Sequence, residues 1–253
     1  MDLAGALADI SFWELATVAA MALVASLVGG VAGYGTGALM PLVLVPIIGA
    51  EPVVPIIALS ALLTNTSRAV AFRRAIDFRR TITVLLAAVP TCVIGAYGYT
   101  LLTSTGAMLV IGAMLAASVP LRRFLKRREI RLEQRGLALA SVGYGIVVGG
   151  TAGAGIILLS LLMAVGLESS AVIATDAAIS IVIGVVKVAV FGIAGVVGAQ
   201  VVALALLIGG IAFPGAFLAK AFVDRMPIHF HTAILDAVVL LGGGVLVFRA
   251  LFK

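Results

Sequence analysis

Charge is what this chain has least of. Asp, Glu, Lys and Arg together make up 11% of its 253 residues, where a soluble domain carries about a quarter. Aromatic residues are thin at 6%, and hydrophobic residues reach 63%. A chain so poor in charge, with a mean hydropathy of +1.27, cannot cover a water-facing surface, so the bilayer is the solvent that fits it. Period-2 alternation of apolar and polar residues is missing, which argues against an outer-membrane barrel. The apolar content is Leu, Val, Ala and Ile, which suits spanning helices. One cysteine, Cys92, excludes a disulfide framework and a cysteine-ligated metal centre. The N-terminal stretch MDLAGALADISFWE has acids and no basic residue, so it lacks the positive flank of a secretory signal peptide.

Catalytic motifs are absent as well. There is no nucleophile elbow, no metal-ligand cluster and no Walker loop, because the glycines at 29–37 are followed by no Lys-Ser or Lys-Thr. The expectation is a protein that is not an enzyme, carries no metal or cofactor, and is no ATP-driven pump by itself. The net charge of +6 does not indicate nucleic acid, because most basic residues sit in two short loops beside apolar runs. That placement belongs to membrane topology and lipid-surface electrostatics.

What is present is a series of apolar runs: 15–50, 53–72, 81–102, 105–121, 136–167, 169–191, 198–222 and 230–252. A crossing needs about 20 residues, so six of these suit one crossing. The runs 15–50 and 136–167 are too long for one, and each has a glycine cluster at its middle. These clusters, GGVAGYG at 29–35 and GGTAGAG at 149–155, align with each other. About thirty residues on, NTSRAVAF at 65–72 aligns with GVVKVAVF at 184–191, and VPTCVIG at 89–95 roughly matches FPGAFLA at 213–219. The expected fold class is therefore all-α integral membrane, with two homologous repeats, 15–121 and 136–252. Each repeat has a glycine-broken run plus three spanning helices, and the basic linker 122–135 joins them on the cytoplasmic side.

The loop RRAIDFRR at 73–80 carries four arginines, whereas its counterpart GIAGVVGAQ at 192–200 carries no charge. By the positive-inside rule the first is cytoplasmic and the second is free to be outside, which favours inverted repeats. That arrangement requires each glycine-broken run to turn back. If the runs cross instead, the halves are parallel.

Backbone without hydrogen-bond partners is not tolerated against lipid, so an unwound stretch must be buried or line a wet cavity. Transporters use such broken helices to aim amide N–H groups at an anion. Gly33, Tyr34, Gly35, Thr36, Thr151, Gly153 and Gly155 are accordingly candidate substrate ligands, with tight helix packing as the alternative use of the glycines. Arg68 and Lys187 are cations within spans at matching positions, and Asn65 shares a helix face with Arg68. They are candidate anion ligands; for Arg68 near a span end, snorkelling is the alternative. Asp176, with Ser180 and Lys187 on one side of its helix, is either a proton-coupling carboxylate or one half of a charge pair with a basic residue. Asp236 is a weaker candidate, and His229 and His231 fall in the loop MPIHFH as interfacial residues.

With these features in place, the chain resembles the sulfite exporter TauE/SafE family of membrane permeases. The likeness is carried by GGVAGYGTGALMPLVL at 29–44, ALSALLTNTSRAVAFRRAIDFR at 58–79, GGTAGAG at 149–155 and ATDAAISIVIGVVKVAVF at 174–191. It runs from about residue 15 to 252. It implies secondary transport of a small anion, sulfite or an organosulfonate, across the inner cell membrane by a multi-pass protein; it transfers no site residues. Two glycine nests and two matched cations independently suit an anion. The expected partners are that anion and the lipid bilayer, with proton coupling and a homo-oligomer as open possibilities. The alternatives are a passive anion channel and a membrane-embedded assembly component.

Overall fold

The computed structural model describes residues 5–32, 35–127, 131–215, 217–218 and 228–252, with backbone alone at 30–32, 122–123, 125–127, 169 and 228–237. All regular structure among them is helical. The α-helices are α1 (Phe12–Ala32), α2 (Thr36–Ile48), α3 (Val53–Ala71), α4 (Phe78–Thr100), α5 (Ser104–Arg127), α6 (Gln134–Gly150), α7 (Gly155–Ala164), α8 (Ser169–Ile193), α9 (Ala199–Ala212) and α10 (Ile228–Leu251). Five of these, α1, α3, α4, α5 and α8, are long and apolar enough to cross a membrane. Their outward faces are apolar too: Trp13 of α1, Leu86 of α4 and Ile193 of α8 are each more than 70% exposed. Such a surface is stable only against hydrocarbon.

Both over-long runs are helix pairs. Along 136–167, α6 ends at Gly150, Thr151 is extended (φ −150°, ψ 180°), and Gly153 takes φ +84° before α7 begins. A left-handed residue redirects the chain, and glycine is the residue that adopts it at least cost. The amide of Leu132 donates to the carbonyl of Ala164 at 2.8 Å, so the chain ends this excursion where it began. In the run 15–50, the carbonyl of Ala25 and the backbone of Gly29 fill the place of a side chain at Gly35. Thus α2 starts folded back against α1. At about 1.5 Å per residue, α2 and α7 reach only about 20 and 15 Å.

Three deviations from the runs follow from local chemistry. The run 198–222 is interrupted: α9 ends at Ala212, a turn follows at Phe213 and Pro214, and residues 215, 217 and 218 are helical again; proline lacks the N–H that an unbroken helix needs there. The first residues of the 122–135 stretch continue α5 to Arg127. His229 and His231 lie on α10 and not in a loop; their side chains and that of Asp236 lie outside the described residues.

Glycine also sets the helix packing. Gly145 and Gly149 of α6 sit against the backbone of Ala88 and Cys92 in α4, and Gly95 of α4 sits against Ile146. These contacts run in step, so α4 and α6 are parallel at close approach, the small-residue packing of membrane helices. Gly149, one member of the second cluster, is therefore a packing glycine. By contrast, α3 and α8 are antiparallel: Arg68 meets Asp176, while Leu62 meets Gly184. The loops at 73–77 and 194–198 consequently lie at opposite ends of this pair. At the first of these ends Asp77 caps α4, accepting from the Arg80 amide at 2.9 Å, and its own amide donates to Thr175 Oγ1 at 3.0 Å. At the other, Tyr99 Oη donates to the carbonyl of Ala50 at 2.8 Å.

The packing partners match across the two halves of the chain. Helix α4 packs on α6 and α8, and α9 packs on α1 and α3; α5 packs on α7, and α10 packs on α2; α5 and α10 pack on each other.

Candidate functional site

The two breaks meet. A side chain at Gly37, in the first turn of α2, would stand 3.2 Å from the amide nitrogen of Gly153. Around this crossing lies a cavity of about 130 Å³ bounded by α1, α2, α3, α8, the α6–α7 break and the end of α9. A water needs only about 10–15 Å³ measured this way, so the space suits one small oxyanion with some water.

Nine expected residues line it: Gly35, Thr36, Asn65, Arg68, Thr151, Gly153, Gly155, Asp176 and Lys187. Gly33 and Tyr34 lie outside the described residues. The helices α2 and α7 both begin at the cavity, and neither has a side-chain cap at its N-terminus among the described residues. First-turn amides without internal partners are natural donors to an anion.

Arg68 is buried at 8% exposure, so it does not snorkel to the headgroups. Its Nη1 donates to Asn65 Oδ1 at 3.0 Å, and its Nη2 donates to Asp176 Oδ2 at 2.5 Å. Asp176 is 1% exposed. The bond between them is single: Arg68 Nε and Asp176 Oδ1 are both buried without a hydrogen-bond partner among the described residues. Asn65 lies three residues before Arg68 on one face of α3, which brings its amide oxygen alongside the guanidinium.

Asp176 is one half of a charge pair with a basic residue, and that residue is Arg68. Asp176 and Lys187 share a side of the helix, but they do not pair. They are eleven residues apart, about 16 Å along the axis at 1.5 Å per residue, so the carboxylate finds its cation on α3. The ammonium of Lys187 instead donates to the carbonyls of Val148 at 2.6 Å and Thr151 at 3.0 Å. These carbonyls end α6, where they lack helical partners and the dipole is negative, so a cation is the natural cap. Lys187 therefore secures the start of the break. The Thr151 hydroxyl, expected as a donor to substrate, donates to the carbonyl of Ala152 at 3.3 Å.

The cavity also includes Ser26, Thr64, Ser180 and Gly37. Ser180 and Thr64 stand on the polar stripes of their helices, and a reading of those stripes finds them. Ser26 is a lone serine in an apolar run, and sequence offers no signal to separate it from a packing serine.

No curated protein and no solved structure matches the chain. The model of the family described as sulfite exporter TauE/SafE matches residues 18–246, a stretch that includes every residue lining the cavity. The chain belongs to the sulfite exporter TauE/SafE family of membrane transporters.

Proposed function

We propose that the chain is a secondary transporter of a small oxyanion, sulfite or an organosulfonate, working by alternating access in the inner cell membrane. The observation that carries this reading is the convergence of two uncapped helix N-termini and a buried arginine on one cavity. In each break a helix C-terminus lies near the next N-terminus, so the dipole ends largely offset. What the breaks supply is directed N–H donors, and the net attraction comes from side chains. Arg68, Lys187 and Asp176 together give the cavity a formal charge of +1, which favours an anion over a cation.

In this reading Gly35, Thr36, Gly153 and Gly155 present donors to the anion. Arg68, oriented by Asn65, is the principal charged ligand. Lys187 and Thr151 hold the second break in shape, and Asp176 couples transport to protons.

The halves 15–121 and 136–252 are read as inverted repeats. The matched packing partners support this, as do the turning-back of both broken runs and the antiparallel α3 and α8. Such symmetry lets one repeat rock against the other around a fixed site, exposing it to each side in turn.

The test is saturable uptake of sulfite and of methanesulfonate by proteoliposomes. Arg68→Met is expected to reduce initial rates at least tenfold for both. Unchanged flux in this variant would remove Arg68 from the site, and flux linear in concentration would favour the passive channel.

A further inference from the structure

The cavity holds a carboxylate bonded to the cation that the substrate needs. On a guanidinium, Nε and Nη2 form one edge, the fork that accepts two oxygens of an oxyanion side by side. In this structure Asp176 Oδ2 bonds Nη2 alone, and Nε and Asp176 Oδ1 are without partners among the described residues. The contact is half of a fork between two buried groups, where a full fork would satisfy all four atoms.

We propose that Asp176 is a stand-in for the substrate: an oxyanion with two oxygens to offer displaces it from the Nε–Nη2 edge of Arg68, and the released carboxylate takes up one proton from water. Anion and proton then occupy the cavity together and cross together, one of each. This deepens the transport reading and rests on it, because it assigns the coupling ion and the stoichiometry of the same site.

The reason lies in what surrounds the released group. From α3 it faces Arg68, then engaged by the anion. From α6, Tyr144 lies within electrostatic reach, but a phenol supplies no positive charge. Lys187, on α8 itself, is about 16 Å away along the helix and committed to two carbonyls. Helix α7 carries no titratable side chain; from α4, Cys92 is a buried thiol that supplies no positive charge, and Arg80 is paired with Asp77. Arg73 and Arg74, in the turn packed on the start of α8, are exposed to solvent. A buried carboxylate deprived of its cation is neutralised in preference to remaining charged. The balance is simple: one O–H bond forms on Asp176, one bond to hydrogen breaks in the hydronium or buffer acid that donates the proton, its conjugate base stays in the bulk, and no electron moves.

The experiment is calorimetric binding to the full-length protein in nanodiscs, repeated in buffers of different ionisation enthalpy. The probes are thiosulfate and methanesulfonate, neither of which gains or loses a proton near neutrality. The expected result is one proton taken up per anion bound by the wild type, and none by Asp176→Asn, whose amide copies the protonated acid. As a check that needs no variant, wild-type affinity should rise about tenfold for each unit fall in pH around neutrality, as linkage requires for one proton. Binding without proton uptake overturns the proposal and leaves the anion site standing. Equal uptake in Asp176→Asn overturns it by placing the proton elsewhere. Binding of neither probe removes the anion site itself, and the coupling falls with it.

Discussion

Gly153 is a single residue on which the geometry of the second break depends. Its φ of +84° is costly for any residue with a Cβ, by about 1 kcal/mol or more. A Cβ there would also stand 3.0 Å from Leu115 Cδ2. Gly166 offers the matching control: it has φ +82°, and nothing lies within 4 Å of its Cβ position. Gly153→Ala and Gly166→Ala are both expected to lower the unfolding temperature in detergent, each by an amount equivalent to about 1 kcal/mol. Only Gly153→Ala should also depress sulfite flux. Equal flux losses in the two would separate the break from transport. The ion pair makes a second prediction at this scale. Arg68→Met leaves Asp176 buried without its cation, which should cost about 3 kcal/mol or more. Adding Asp176→Leu should recover most of that stability and none of the flux, read by thermal unfolding and uptake on the same preparations.

At the scale of elements, the turn between α3 and α4 fastens α8 to the cytoplasmic end expected from its arginines. Burial alone would raise the carboxyl of Asp77. The bonds from the Arg80 amide and side chain, together with the Arg80 charge, outweigh burial and hold it below the ordinary 3.8. A lowered folded value means that the charged form stabilises the fold. The contribution is complete above the unfolded pKa and disappears as pH falls through the folded one. Asp77→Ala is therefore expected to cost about 1 kcal/mol at neutral pH, the usual worth of a helix cap. The gap between variant and wild type should close below about pH 3.8, as followed by thermal unfolding across pH. Constant destabilisation down to strong acid would show that Asp77 acts by shape and not by charge.

The legibility of these elements was uneven for physical reasons. Hydropathy located all the long spans, because burial in lipid demands an unbroken apolar segment. Glycine located both breaks, because few other residues tolerate them. The early end of α9 at Ala212 was hidden within an apolar run, since Pro214 also fits a kinked helix and Pro90 is accommodated inside α4.

For the molecule as a whole, the open question of sequence was whether the broken runs turn back. The hydrogen bond of Leu132 to Ala164, and the contact of Gly35 with Ala25, answer it for the backbone. The inverted reading places the loops at 73–77 and 194–198 on opposite faces of the membrane. Cys92 is fully buried and is the single cysteine, so the native chain gives a quiet background for labelling. Arg74→Cys replaces an exposed residue, and Gly198→Cys adds a side chain where nothing lies within 4 Å. In intact cells an impermeant maleimide is expected to reach position 198 and not position 74, with the reverse in inside-out vesicles. Labelling of both from one side would refute the inverted arrangement.

Sequence by itself determined the solvent, the helical class and the positions of both breaks, because each depends on local chemistry that every stretch of chain carries with it. The alignment of 65–72 with 184–191 made Arg68 and Lys187 look equivalent, since a sequence pattern reports only which face of its own helix a residue occupies. Tertiary structure decided which face meets which, and it separated them. Arg68 meets a carboxylate 108 residues away, while Lys187 caps the frayed end of α6. Those assignments depend on the crossing of α3 with α8 and on where α6 stops.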